Sequence, residues 1–363
     1  MKKLYSLMAV VLMASMFLTA CGGAAAPAAG SNTAPDCTKA NVFCIGDVTD
    51  VGHVDDKSFN QSTWEGVQKA KADGLADWIQ YIETSDAKDY AKNIDTFAQA
   101  GYKVIVTTGF NLTDPTYAAA KKYPNIMFIG VDQALQKDTN HPDWPLPNLV
   151  GLIYHEDQSG FLVGALAAMM SKSHIIGGVF GTDAVPPVWR YGEGYRAGAA
   201  YEDKKNGTTT TVNNVYHNDV GFDKTFTDPP WGATTAQSMI DKGADVIFGG
   251  GGATGNGAVD KAAADKVLAI GVDTDQYYTL PEADPYLLTS AMKPIPGPLE
   301  DLIKLAKSGK FPTTGFYYGS SGYAPYHDTA KLVPANVDAE MQALLKGLTD
   351  GSIQTGVPPV KPQ

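Results

Sequence analysis

Short apolar runs of strand length recur along the chain, at 42–48, 104–107, 126–131, 175–180, 211–216, 246–248 and 267–272. Each is followed within two residues by Gly, Asp, Asn or Pro, and most then lead into a stretch with apolar residues at helical spacing. Segments 62–71, 89–99, 234–242 and 257–266 show that spacing most clearly. Strands that are apolar almost throughout, alternating with amphipathic helices, predict a parallel sheet covered by helices on both faces. The pattern breaks near 148–156 and then starts again, so it predicts two such halves. After the last run the chain turns at Pro281 and Pro285. A strand (287–292), a helix (299–307), a late strand (316–318) and a final helix (338–348) follow. These late elements must complete one lobe or the other. The expectation is two α/β lobes, more than one crossing between them, and a cleft. Ligands of such sheets sit outside the carboxyl ends of the strands, so the loops after each strand are the place to look.

The chain begins differently. Lys2 and Lys3 precede an almost wholly apolar stretch to Ala20, which reads as an export signal rather than part of the fold. Leu18-Thr19-Ala20-Cys21 resembles the bacterial lipobox, which implies cleavage before Cys21 and lipidation of that residue. Acyl chains contribute about 0.8 kcal/mol per buried CH₂, so several on one residue hold a protein at a membrane. Segment 22–35 is small, flexible and nearly uncharged, and reads as a tether. The predicted organisation is therefore a signal at 1–20 and a tether at 21–36. One lobe takes 37–153 plus about 291–318, and the other 154–290 plus about 319–358.

The formal charge is −11 over 363 residues, and loss of Lys2 and Lys3 with the signal makes it more negative. An acidic surface repels phosphate backbones, which argues against a nucleic-acid partner. With Cys21 lipidated, Cys37 and Cys44 remain. Export permits a disulfide between them. An extended chain would hold them too far apart, so a bridge needs a turn near Thr38; otherwise both stay as thiols. No Cys/His spacing resembles a zinc site.

The loop Asp47–Gln61 concentrates polar capacity at the end of the first strand: four aspartates, Phe59, Asn60 and Gln61. One of Asp55, Asp56 or Ser58 is expected to cap the following helix, leaving the rest to face a ligand. From this loop onward the sequence resembles the basic membrane protein family, the nucleoside-binding lipoproteins of ABC importers. Asp50–Gln61 with Trp64-Glu65-Gly66 looks like the family's opening. Asn148–Gly151 and Ser159–Ala168 look like its crossover and following helix. Gly243–Phe248 with Gly251–Gly255 is similar to its glycine loop, Ala269–Gln276 to its ribose-contacting loop, and Ser290-Ala291-Met292-Lys293 to its Ser-x-x-Lys. The resemblance covers about residues 42–320. It implies a two-lobed type I periplasmic-binding-protein fold, each lobe a parallel sheet flanked by helices, with the ligand cleft between the lobes. It also implies an exported, lipid-anchored, monomeric protein that captures a nucleoside of the purine kind by hinge closure and hands it to a membrane permease. No cofactor, metal or catalysis is expected.

The chemistry of these blocks can be read beside the resemblance. A flat base is held by stacking between aromatic faces. Phe59 from the first lobe and Phe226 from the second are the expected pair, with Trp189 and Trp231, placed in loops, as other candidates. A carboxylate accepting two hydrogen bonds and an ammonium donating suit a pair of ribose hydroxyls; Asp273 and Lys293 fit, and the resemblance implies those roles. Gly251 and Gly252 let the backbone approach the sugar. Asp50, Asn60 and the loop of Phe110 and Asn111 are expected at the base edge. Asn111 stands where the family commonly has an acid, which leaves the identity of the base open. His53 is another edge candidate.

Three other readings compete. The aspartates of the first loop loosely resemble the calcium site of nucleoside hydrolases, but their spacing is wrong and Lys57 opposes a cation. Gly250–Gly255 fits G-x-G-x-x-G, a weak signal in the second half of an exported chain. Another flat ring with hydroxyls, such as riboflavin, or a modified sugar would meet the same description.

Overall fold

The computed structural model describes residues 34–362. The signal segment, Cys21 and most of the tether lie outside the described residues. The two series of apolar runs form two six-stranded sheets. The first contains β1 (Cys44–Val51), β2 (Trp78–Thr84), β3 (Val104–Thr108), β4 (Met127–Val131), β5 (Leu149–Ile153) and β11 (Phe316–Tyr318), in the order β11-β5-β4-β3-β1-β2. The second contains β6 (Ile175–Phe180), β7 (Thr211–Tyr216), β8 (Val246–Gly250), β9 (Leu268–Asp273), β10 (Leu287–Met292) and β12 (Gly322–Tyr323), in the order β12-β10-β9-β8-β6-β7. Every pairing is parallel except β10 with β12. The two orders are the same permutation, so one lobe repeats the other.

Helices α1 (Phe59–Ala72), α2 (Tyr90–Gln99), α3 (Thr113–Lys122) and α8 (Pro296–Lys307) pack with the first sheet. Helices α4 (Glu156–Met170), α5 (Pro186–Asn206), α6 (Pro229–Ile240), α7 (Gly252–Ala264) and α9 (Ala335–Asp350) pack with the second. The chain crosses between the sheets three times: after β5, after β10 and after β11. Both sheets belong to one compact unit. Among the described residues, no helix is long and apolar enough to cross a membrane.

The strand-length runs fall on strands, with ends that match or shift by at most three residues. Two kinds of element escape the pattern. Strand β2 (WIQYIET) is an edge strand, half-buried and exposed along most of its length, so its apolar signal is diluted. Helix α5 carries glycines, which weaken a helical reading. Those glycines serve contact with α4. A Cβ on Gly198 would sit 1.9 Å from the Phe161 carbonyl oxygen, and one on Gly164 2.0 Å from that of Tyr195. The two helices therefore lie backbone against backbone.

Cys37 and Cys44 are joined by a disulfide, with Cα atoms 5.8 Å apart. The turn that a bridge requires is present. Asp36 Oδ1 accepts the Thr38 amide at 3.1 Å and the Thr38 hydroxyl at 2.6 Å. The Lys39 amide donates to the Asp36 carbonyl, and the Val42 amide to that of Lys39.

Candidate functional site

Loops at the carboxyl ends of β1, β3, β4, β6, β7, β8, β9 and β10 meet in one cavity between the lobes. The first lobe supplies Asp50, Asp56, Phe59, Asn60, Phe110 and Asp132. The second supplies Tyr191, Phe226, Gly251, Gly252, Asp273 and Lys293. About 670 Å³ lies free of atoms among them, open solvent at the mouth included.

Local structure explains how the aromatic pair is presented. Asp56 accepts the amides of Ser58, Asn60 and Gln61 at 2.9–3.1 Å, satisfying donors at the start of α1. The Ser58 side chain is then left for other use, and Phe59 opens the helix at the cavity edge. Phe226 comes from the loop between β7 and α6. Its ring lies against Gly181, where any Cβ would stand 2.2 Å from it, so only glycine leaves it room. Gly251 holds φ at 121°, a region closed to most side chains, and brings the backbone to the same wall.

One end of the cavity is densely charged. Lys293 Nζ lies 2.6 Å from Asp132 Oδ2, 3.5 Å from Glu156 Oε1 and 3.8 Å from Asp273 Oδ1, and all four side chains are less than a tenth exposed. The same ammonium stands 4.9 Å from the centre of the Phe59 ring. Burial pushes its pKa down, but Asp132, Asp273 and Glu156 more than offset this, and the net shift is upward. Burial raises the Asp132 carboxyl to about 7, although Lys293 opposes it. Glu156 is also raised, by burial first. Asp273 Oδ2 accepts the Ser58 hydroxyl from the opposite lobe at 2.9 Å, and Oδ1 accepts the Tyr191 hydroxyl at 3.3 Å.

At another part of the wall, Asp50 Oδ1 accepts the Tyr90 hydroxyl and the Val51 amide. Burial dominates over both bonds and lifts Asp50 to about 6. Asn60 is 5% exposed, and its Oδ1 is buried with no partner among the described residues. The lobes are also stitched directly. Gln276 Nε2 donates to the Lys57 carbonyl at 2.9 Å, Thr279 Oγ1 donates to the same carbonyl at 2.9 Å, and Asn256 Nδ2 donates to the Asp56 carbonyl at 2.7 Å.

The structure thus brings Asp50, Phe59, Asn60, Phe110, Phe226, Gly251, Gly252, Asp273 and Lys293 to one cavity. It does not bring Asn111 there. Residues Phe110–Leu112 form a short helical turn, so successive side chains diverge; Asn111 lies beside the Tyr90 hydroxyl and an outer hollow with Thr113 and Asp114. Trp189 and Trp231 are not loop residues. Trp189 is buried inside α5, and Trp231 lies in the first turn of α6, stacked on His217 with centroids 3.9 Å apart. Both pack structurally. His53 is exposed against Glu83. The first-loop aspartates scatter instead of converging: Asp47 Oδ1 accepts the Thr108 hydroxyl, Asp50 meets Tyr90, Asp55 is exposed and Asp56 serves α1. Asp132, Glu156 and Tyr191 were not anticipated as parts of the site, and Gln276 only as the end of the block similar to the ribose-contacting loop. One signal for Asp132 was available: Ile129-Gly130-Val131-Asp132 is repeated as Ile270-Gly271-Val272-Asp273.

Two matched α/β lobes with three crossings, enclosing a cavity fed by the strand ends of both, define a two-lobed solute-binding protein. The protein family described as "ABC transporter substrate-binding protein PnrA-like" matches residues 45–317, and the chain belongs to it. The "ABC transporter nucleoside-binding protein BmpA" of Lactococcus lactis is 32% identical over 73% of this chain and 75% of its own. "Basic membrane protein A" of Borreliella burgdorferi is 30% identical over 67% and 66%. A crystal structure of an ABC transporter solute-binding protein from Aeropyrum pernix superposes with a TM-score of 0.75 at 23% identity, over 88% of this chain and 94% of the other. The family description and the Lactococcus relative's name both describe binding of a substrate. Membership implies a small-molecule ligand, a permease partner and an extracytoplasmic location.

Proposed function

We propose that the protein captures a nucleoside, of the purine kind, as the lipid-anchored, monomeric receptor of an ABC importer. The observation that supports this most is the shared cavity itself. Phe59 and Phe226 enter it from opposite lobes, and Asp273 and Lys293 stand at its charged end. A planar ring between the two phenyl faces leaves a ribose at the carboxylate and ammonium, while Asp50 and Asn60 face the base edge. Ligand contacts come from both lobes, so binding favours the closed arrangement, and the hinge segments between the sheets carry the motion. Cys21 is the anchor, and a separate permease and ATPase complete transport.

The test is calorimetric titration of ligand-free protein with adenosine, guanosine, inosine and riboflavin. Saturable binding of a purine nucleoside at micromolar concentration or tighter is expected. Heat from riboflavin alone would sink the reading and favour the other flat-ring ligand. A Cys21→Ser variant is expected in the soluble fraction rather than with membranes, and its retention there would remove the lipid anchor.

A further inference from the structure

Phe226 reaches the cavity from segment 217–228, which joins β7 to α6. The tip of that segment, 221–224, is exposed, and Phe222 there folds back on Phe226 with ring centroids 5.9 Å apart. A loop of this kind has little core to hold it. Its two ends are fastened instead. The His217 amide donates to the Phe180 and Gly181 carbonyls at 3.1 and 2.8 Å, and the His217 carbonyl accepts the Thr225 hydroxyl at 2.7 Å. Asp228 caps α6 by accepting the Trp231 amide at 3.0 Å, and its own amide donates to the Thr254 hydroxyl at 2.9 Å.

The His217 ring ties these ends together. It is 1% exposed, with Nδ1 2.8 Å from Asp219 Oδ1 and Nε2 3.4 Å from Asp228 Oδ2. Its face is stacked on Trp231, centroids 3.9 Å and planes 13° apart. Among the described residues, the charged groups set against the ring are Asp219 and Asp228 from its own loop. Helix α6 adds Trp231, and β6 adds the carbonyls that take the His217 amide. An imidazole with one proton donates through one nitrogen and turns a lone pair toward the other carboxylate; with two protons it donates to both. The face of an indole also attracts a cation. Asp228 follows Phe226 by two positions, so whatever holds Asp228 also sets where the Phe226 ring enters the cavity.

We propose that His217 is a positioning residue for Phe226: its doubly protonated ring, tied to Asp219 and Asp228, pins the loop that presents Phe226, and loss of one proton loosens the loop and weakens ligand capture as pH rises. The consequence for affinity rests on the nucleoside reading; the pinning of the loop does not. The first arm of the test needs no ligand. Lys224 at the exposed tip offers trypsin a site. At about pH 6, folded His217→Gln is expected to be cut after Lys224 roughly fivefold faster than wild type. A protonated imidazole quenches an indole stacked on it. Trp231 emission, taken as the difference between wild type and Trp231→Phe, is therefore expected to rise between about pH 5 and about pH 8, and to stay flat when the same difference is taken on the His217→Gln background. The second arm is calorimetry with whichever of adenosine, guanosine and inosine binds most tightly. His217→Gln is expected to bind it about fivefold more weakly than wild type at about pH 6, and within about twofold at about pH 8. Burial holds Asp50 and Asp132 at the cavity up to about 6 and about 7, so the part due to His217 is read from the ratio of the two proteins at each pH. Asp219→Asn changes a side chain that is 75% exposed and serves if the Gln variant does not fold. It is expected to move the rise in emission to lower pH, because a carboxylate that favours the charged ring is gone. Equal cleavage, a wild-type emission difference that is flat with pH, or an affinity ratio that does not change with pH overturns the inference and leaves the nucleoside reading standing. If no nucleoside binds, that reading falls, and cleavage and emission still decide whether the ring pins the loop.

Discussion

The two lobes carry the same phrase at the same place and use it differently. In the first, Ile129-Gly130-Val131-Asp132 is followed at once by Gln133; in the second, Ile270-Gly271-Val272-Asp273 reaches Gln276 after two more residues. Each glutamine amide lies over its glycine. A Cβ would fall 2.2 Å from Gln133 Oε1 at position 130 and 2.4 Å from Gln276 Oε1 at position 271. The first glutamine turns inward: Gln133 Nε2 donates to the Thr107 carbonyl at 3.1 Å and the Gly109 carbonyl at 3.2 Å, within its own lobe. Its counterpart turns outward, with Gln276 Nε2 donating to Asn256 at 2.8 Å and across the cleft to Lys57 at 2.9 Å. One fixes a loop and the other fixes the closed arrangement. The difference shows that an inherited backbone shape sets where a polar group stands, while loop length and the facing surface decide what it holds.

The most severe way to break the comparison is to remove the cation that both aspartates share. Lys293→Met is expected to destabilise the protein by about 3–5 kcal/mol, because three buried carboxylates lose their counter-ion. Thermal melts should show the deficit shrinking on acidification, as Asp132 takes up a proton. Asp273→Ala comes next. It is expected to weaken nucleoside binding by about 2 kcal/mol or more, read by calorimetry, since a buried charged acceptor is lost. The glutamines sharpen the contrast. Gln276→Leu should weaken ligand affinity through loss of the closed form. Gln133→Leu should lower the melting temperature with little change in affinity per folded molecule. Each effect is expected at about 1–2 kcal/mol. Equal behaviour of the two variants in both assays would erase the proposed division of labour.

The smallest effect concerns pH. Burial holds Asp47 and Asp132 up to about 7, and Asp50 and Asp56 up to about 6. Each value is above the ordinary aspartate range, so between the two values the folded state binds more protons than the unfolded one. Stability therefore falls as pH rises from about 4 to about 7. The ligand-free protein is expected to melt a few degrees higher at about pH 5 than at about pH 8, and Asp132→Asn should flatten the upper part of that slope.

Much of this architecture is legible in the chain because buried parallel strands announce themselves as unbroken apolar runs such as Ile175–Phe180 and Val246–Gly250. Phe59, Asp273 and Lys293 were legible for another reason: each sits in a block that resembles a known family. What stayed hidden depended on distance in space. Glu156 reads as an acidic residue in the first turn of a helix, an ordinary role there. Only folding shows that it stands 3.5 Å from Lys293, contributed by the chain well over a hundred positions later. Tyr191 lies in a glycine-rich helix that the pattern did not resolve, and Asn111 differs from Phe110 by one step of a helical turn.

Lys293 immediately follows β10, where the chain leaves the second sheet for α8 on the first. The ammonium at the charged end of the cavity thus rides where the wall of the second lobe passes into a connecting rod. Under the proposed hinge closure, any group that pulls on it also loads the pivot, so occupancy and posture share a single mechanical part. A receptor wired in this way needs no relay between sensing its cargo and changing shape.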